Sequence, residues 1–328
     1  MNKKKYLVNK NIIESKKINK CNILCIGDVM LDHYVYGNVY RSSPEAPIPI
    51  LSKKDEKYFL GGAGNVARNL SDLGAKCTLL AIVGTDYASK KIKSLVSLDK
   101  NIKSELITIE NYFSPLKTRY INNSDHLLRV DKEMNSFKKS KKLLSSISKS
   151  LIKNIKKSNL IIISDYNKGF INKSLIKEIT KIAKKNRKII IADPKKINLG
   201  TYANIDILTP NQKELNDAAG KLLKNETEII AFGKRIINKY NIKEILLTRS
   251  EKGMLLIGHD YIKKYKANAK KICDVTGAGD TVVSTLALMK AIGLNSVISA
   301  EISNYAAGIA ISKRGTSTIL YKELISKL

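Results

Sequence analysis

From residue 139 onward, apolar runs of two lengths alternate along the chain. The short ones, Leu160–Ser164, Lys188–Ala192, Ile205–Leu208 and Glu244–Thr248, are nearly continuous in isoleucine and leucine, as strands buried on both faces are. Between and after them, residues 139–157, 172–186, 226–240, 281–292 and 296–312 repeat apolar positions at helical spacing. The same alternation comes earlier: a strand at Asn22–Ile26, a helix carrying Val66, Ala67, Leu70 and Leu73 closed by Gly74, a strand at Thr78–Val83 and a helix near Tyr87–Leu98. This predicts an α/β fold, a mostly parallel sheet between two layers of helices, with ligands beyond the carboxyl ends of the strands. Polar residues gather at those ends: Asp28, Asp165, Asp193, Asn211 and Thr248. Two stretches break the pattern. Residues 33–60 carry Tyr34, Tyr36, Tyr40, Pro44, Pro47 and Pro49, and residues 103–130 lie around Pro115 and Arg119. Both read as strands, and together they predict a small β-lid. The chain divides into a basic N-terminal extension, 1–21, and one domain, 22–328.

Charge changes this picture little. The net charge is +30, but 51 of the 59 basic residues are lysines, spread along the whole chain. They form no block interleaved with aromatics, so a nucleic-acid function is set aside. No apolar run approaches the ~20 residues of a membrane span, and no signal-type apolar stretch follows the basic start. A cytoplasmic protein without membrane insertion is expected. Cys21, Cys25, Cys77 and Cys273 do not complete a zinc pattern, and His33, His126 and His259 converge on no metal spacing.

The chemistry is carried by Asp274-Val275-Thr276-Gly277-Ala278-Gly279-Asp280-Thr281. A glycine-rich turn opening a helix aims several N–H groups at one spot, where the helix dipole also favours an anion. Gly277, Ala278 and Gly279 thus make a phosphate site, and Asp280 stands at its rim. A carboxylate beside an anion hole suits phosphoryl transfer to a hydroxyl, with Asp280 as base. Tight packing of turn and helix, with Asp280 as a helix-start carboxylate, is the plainer reading of the same residues.

A second element, Gly61-Gly62-Ala63-Gly64-Asn65-Val66-Ala67, lies about two hundred residues earlier. With both elements in this order, the chain resembles the ribokinase-like (PfkB) family of sugar kinases. Within it, the chain is similar to the bacterial kinases of D-glycero-β-D-manno-heptose 7-phosphate. That resemblance rests on Gly27–Asp32, Arg41-Ser42-Ser43-Pro44-Glu45-Ala46-Pro47-Ile48-Pro49, Ser164–Gly169, Leu208–Asn211, Leu247–Met254 and Gly315–Thr318. It departs from the pattern at Asn123, where an arginine is usual.

The resemblance implies a ribokinase-like three-layer α/β/α sandwich. It also implies ATP-dependent phosphorylation of the heptose phosphate at its anomeric hydroxyl, feeding ADP-heptose and lipopolysaccharide inner-core synthesis. Another sugar or sugar-phosphate kinase, or a non-catalytic sugar- or nucleotide-binding relative, are the alternatives. Asp28, Asp32, Gly62 and Asn65 would meet the sugar, although the two aspartates could be solvated turn residues and Asn65 could simply cap its helix. Arg119 would meet the sugar phosphate, and Lys195 the sugar phosphate or the nucleotide phosphates, although Lys195 could equally be a solvated lysine. Asn211 and Glu214 would organise Mg²⁺ through water, or merely start a helix. Thr248, Ser250 and Gly253 would form the nucleotide rim, with Asn304 near the adenine. Asp274 and Thr276 would offer oxygens to a monovalent cation such as K⁺. A homodimer paired through the lids is expected, and so is a separate adenylyltransferase, because no His-x-Gly-His element of such a domain occurs in the sequence.

Overall fold

The computed structural model describes residue 13 and residues 15–328, except 124, 135, 136, 138, 139, 196, 269–271 and 314. A short helix α1 (Ser15–Ile18) leads into β1 (Asn22–Gly27). A long hairpin follows, β2 (Val29–Ser42) and β3 (Pro49–Gly62), then α2 (Ala63–Asp72), β4 (Lys76–Val83), α3 (Tyr87–Ser97) and β5 (Ile102–Thr108). A second hairpin, β6 (Leu116–Asn122) and β7 (Asp125–Lys132), precedes α4 (Lys141–Lys157), β8 (Leu160–Ser164), α5 (Lys173–Lys185), β9 (Ile189–Asp193) and β10 (Ile207–Leu208). The chain continues through α6 (Gln212–Ala219), α7 (Glu226–Tyr240), β11 (Glu244–Thr248), β12 (Met254–Ile257), β13 (Ile262–Tyr265), α8 (Ala278–Ala291), α9 (Ser296–Ala310) and α10 (Tyr321–Ile325).

Nine strands form the main sheet in the order β13-β12-β11-β10-β9-β8-β1-β4-β5, parallel from β11 to β5. Every residue of β8 is buried. Alternate residues of the central strands feed two cores. One packs Ile23, Leu79 and Ile162 against α2, α3 and α8–α10. The other packs Leu24, Leu80 and Ile163 against α4–α7. The long helix α4 starts at Ser140, whose hydroxyl accepts the Leu143 N–H, and its last turn carries Lys156 and Lys157. Among the described residues, no helix is long and apolar enough to cross a membrane.

Four strands stand off this body in the order β3-β2-β6-β7. The lid expected over 33–60 is present. The expectation over 103–130 needs correction: Ile102–Thr108 joins the main sheet as its edge strand β5, and only β6 and β7 belong to the lid. Beyond Ile102 this edge strand is exposed or half-buried throughout, as a lid strand can be, so its pattern could not separate the two. The domain also begins before residue 22. Ile13, Ile18 and Cys21 are buried in the core, and the Tyr321 hydroxyl donates to the Ile13 carbonyl at 2.9 Å.

Candidate active site

Asp280 lies in the first turn of α8 and is 4% exposed. The Asn65 amide donates to its Oδ2 at 2.7 Å, and the Tyr166 hydroxyl donates to its Oδ1 at 2.7 Å. Each donor comes from the carboxyl end of a strand: Asn65 from α2 just after β3, Tyr166 from the loop after β8. Burial pushes the Asp280 carboxyl up to about 6, against the opposing pull of those two donors. A carboxylate so poised is ionised near neutrality yet basic enough to take a proton.

The glycine loop builds the mouth. Gly277 caps α8 with φ +79, and a Cβ there would stand 2.9 Å from Asn65 Nδ2. The Ala278 N–H turns back to the Val275 carbonyl at 3.2 Å. The N–H groups of Gly277, Gly279 and Asp280 have no partner among the described residues, and open space surrounds Gly279, so this turn has donors that could meet an anion. A cavity of about 200 Å³ opens here, lined by Tyr166, Asp193, Lys195, Glu214, Gly279 and Asp280 among others.

The acidic strand ends divide in role. Asp28 Oδ2 accepts the backbone N–H groups of Tyr166 at 2.9 Å and Lys168 at 3.1 Å, so Asp28 pins the loop that aims Tyr166. Gly62, with φ +59, lies against Asp28: a Cβ on it would stand 2.4 Å from the Asp28 carbonyl. Asp32 accepts Arg119 Nη1 at 2.6 Å, and a Cβ on Gly61 would stand 2.3 Å from Asp32 Oδ2. Both partners are largely buried, so removing Arg119 would strand the Asp32 charge.

Lys195 donates to Glu214 at 2.6 Å and lies 3.6 Å from Asp193. Burial alone would lower its pKa; Asp193 and Glu214 outweigh burial and hold the ammonium charged. Asn211 and Glu214 form a reciprocal capping box at the start of α6, the helix-start role that the sequence offered as their alternative. Glu214 thus spends Oε2 on the Asn211 N–H and Oε1 on Lys195.

The expected nucleotide residues separate. Asn211, Thr248 and Ser250 share one open groove of about 910 Å³ beside the Asp280 cavity. Gly253 instead packs under the Tyr265 carbonyl, and Asn304 donates to the Lys266 carbonyl at 2.7 Å. The Asp274 carboxylate accepts the Thr276 N–H at 2.8 Å and the Gly315 N–H at 3.0 Å. Tyr166 was missed as a site residue. It stood inside a strand-end run, Ser164–Gly169, and only the fold shows its hydroxyl meeting a residue 114 positions away.

Comparison with known proteins places the chain in a family. The model of the "pfkB family carbohydrate kinase" matches residues 20–323. The chain is 36% identical over 309 residues to "Bifunctional protein HldE" of Acidiphilium cryptum, covering 93% of this chain and 63% of that protein. It is 36% identical over 314 residues to the protein of the same name from Paramagnetospirillum magneticum, covering 95% and 64%. The chain therefore spans under two thirds of the length of these relatives. Among solved structures, phosphofructokinase-2 of Escherichia coli in complex with potassium superposes with a TM-score of 0.76 at 18% identity, over 93% of this chain and 97% of that one. Arabidopsis thaliana ribokinase complexed with ribose and ATP superposes at 0.71 and 17%, over 94% and 98%. These likenesses show the ribokinase-like fold, and the family match is direct: the chain belongs to the pfkB family of carbohydrate kinases and is a sugar kinase.

Proposed function

We propose that the chain transfers the γ-phosphoryl group of ATP to the anomeric hydroxyl of D-glycero-β-D-manno-heptose 7-phosphate, giving the 1,7-bisphosphate. The observation that carries the transfer is the buried Asp280, both oxygens held by donors, beside the free N–H groups of the glycine loop. The acceptor hydroxyl gives its proton to Asp280 as its oxygen bonds to phosphorus and the bond to ADP breaks. Each carboxylate oxygen has a second acceptor position, so Asn65 and Tyr166 need not leave. The Gly279 and Asp280 N–H groups face the charge on the transferring phosphoryl, and Lys195 adds positive charge at the same cavity. Asn65 Oδ1 is buried without a hydrogen-bond partner among the described residues, which suits a sugar hydroxyl as donor.

Mg²⁺ bound to the nucleotide phosphates would neutralise their charge. Among the described residues no group of three His, Cys, Asp or Glu is arranged to hold a metal, and both Glu214 oxygens are engaged. The residues fit a hydrated ion carried by the phosphates, with Glu214 and Asn211 touching it through water. At the Asp274–Thr276 turn the carboxylate is occupied, so K⁺ there would rely on carbonyl oxygens.

The heptose phosphate follows from the resemblance carried by the Arg41–Pro49 stretch, which forms the tip of the lid between β2 and β3. The lid leaves Tyr40, Ile48, Leu128 and Val130 exposed, and every residue of β7 is exposed, a surface suited to pairing two lids in a cytoplasmic homodimer. Light scattering should then give twice the chain mass at micromolar concentration; a monomer would remove the dimer from the proposal. An ADP-release assay over a panel of sugars tests the acceptor. Heptose 7-phosphate should give the highest kcat/KM; a far better rate with ribose or fructose 6-phosphate would replace it and leave the kinase standing.

A further inference from the structure

Arg119 and Lys195, the cations that the sequence offered for a substrate phosphate, are both committed to carboxylates. So are Lys117, with Asp131 at 2.8 Å, and Lys168, with Glu133 at 2.6 Å. Arg68 differs. It lies on α2 one turn beyond Asn65, and its Nη1 is sealed from solvent with no hydrogen-bond partner among the described residues. Its guanidinium stacks 5.6 Å from the centre of the Phe59 ring, and burial holds its pKa below the usual arginine value against the pull of Asp72, Asp99 and Asp32, none of which bonds it among the described residues. A buried guanidinium with an unused donor is a costly arrangement unless a ligand completes it.

Arg68 lines a cavity of about 1000 Å³ between the lid and the back of the glycine loop. Tyr34 and Tyr36 line it from one face of β2, the face that also carries Asp32. Lys57 adds a second cation. The only carboxylate among its described lining residues is Asp274, whose two oxygens already accept backbone N–H groups. The Tyr34 hydroxyl meets Thr316 Oγ1 at 3.0 Å, and Thr316 Cγ2 stands 3.4 Å from where a Cβ on Gly277 would lie. The cavity and the catalytic loop therefore share a wall.

We propose that this cavity is a phosphate-monoester site, distinct from the Asp280 cavity, in which the Arg68 guanidinium is the principal anion ligand and Lys57 and the Tyr34, Tyr36 and Thr316 hydroxyls complete the shell. A planar fork of donors suits a phosphate, and hydroxyls can donate to its remaining oxygens. The phosphate can be the far end of the phosphorylated acceptor or a free effector.

The probe is inorganic phosphate, titrated calorimetrically into the full chain saturated with a non-hydrolysable ATP analogue, so that the glycine loop is occupied. Arg68→Met should weaken phosphate binding by ~10-fold or more, with Arg68→Lys in between because it keeps the charge and loses the fork. Lys57→Met, at an exposed position, should weaken it a few-fold and covers the case in which Arg68→Met does not fold. Unchanged affinity in Arg68→Lys and Lys57→Met, or in a folded Arg68→Met, overturns the site. Inhibition kinetics then separate the sources. Competition between phosphate and a phosphorylated acceptor assigns the site to the acceptor, and a change in kcat without competition assigns it to an effector. Neither result depends on the acceptor being a heptose phosphate, so the site and that assignment fail separately.

Discussion

Two cavities flank the loop from Asp274 to Asp280, and they are built with opposite charge. The smaller one holds the carboxylates of Asp193, Glu214 and Asp280 against one ammonium, Lys195. Among its described lining residues the larger one holds Lys57 and Arg68, with Lys313 tied to Glu323 at 2.7 Å, against one carboxylate, Asp274. In the smaller cavity Asp280 has partners on both oxygens and Lys195 is ion-paired on the same side, so burial tunes protonation without leaving a lone charge. In the larger cavity a guanidinium donor is left over. On the proposed roles the contrast separates two tasks: where a proton would move the groups are partnered in advance, and where a ligand would be held a donor is left over.

The sharpest way to break the contrast is at the base. Asp280→Asn keeps the shape of the smaller cavity and removes its proton acceptor, so kcat should fall by ~10²–10⁴. ATP affinity should stay near that of the parent, because the loop N–H groups are untouched. Steady-state ADP release with a nucleotide-binding titration checks both halves, and near-parental turnover would refute the base assignment.

The wall comes next. Gly277→Ala puts a side chain into a left-handed position, at a cost of roughly 1–2 kcal/mol, and crowds Asn65 Nδ2 at 2.9 Å. If that strain falls on the Asn65–Asp280 contact, kcat should drop by about tenfold. A variant with parental kcat would show that Asn65 does not depend on the loop.

The sequence made some of this legible. Leu160–Ser164, Glu244–Thr248 and the helix 226–240 have the bounds read from the chain, since continuous buried runs between turns leave little choice. The two signatures singled out Asn65 for the sugar and Asp280 as the base, and the fold brings the two within 2.7 Å of each other. Other features lay beyond pattern. The hairpin β12–β13 has strands of four residues each, too short to show a period. The extent of helix α6 was not legible, although Asn211 and Glu214, read as Mg²⁺ residues or a helix start, do form its cap. Arg119 and Lys195 read as free cations because a sequence does not show that Asp32, 87 residues away, and Glu214 would claim them.

The pH dependence of kcat/KM, compared between the parent chain and Tyr166→Phe, tests the central claim most directly. Burial raises the Asp280 carboxyl to about 6, and a protonated carboxyl cannot accept the hydroxyl proton. The parent rate should therefore fall as pH drops through about 6 and level off above it. The Tyr166 hydroxyl donates to Asp280 and lowers its pKa, so its removal should move the acid limb to higher pH while the rate on the plateau changes least. A profile without an acid limb, or a limb that Tyr166→Phe leaves in place, would contradict the assignment of Asp280 as a base poised by its two donors.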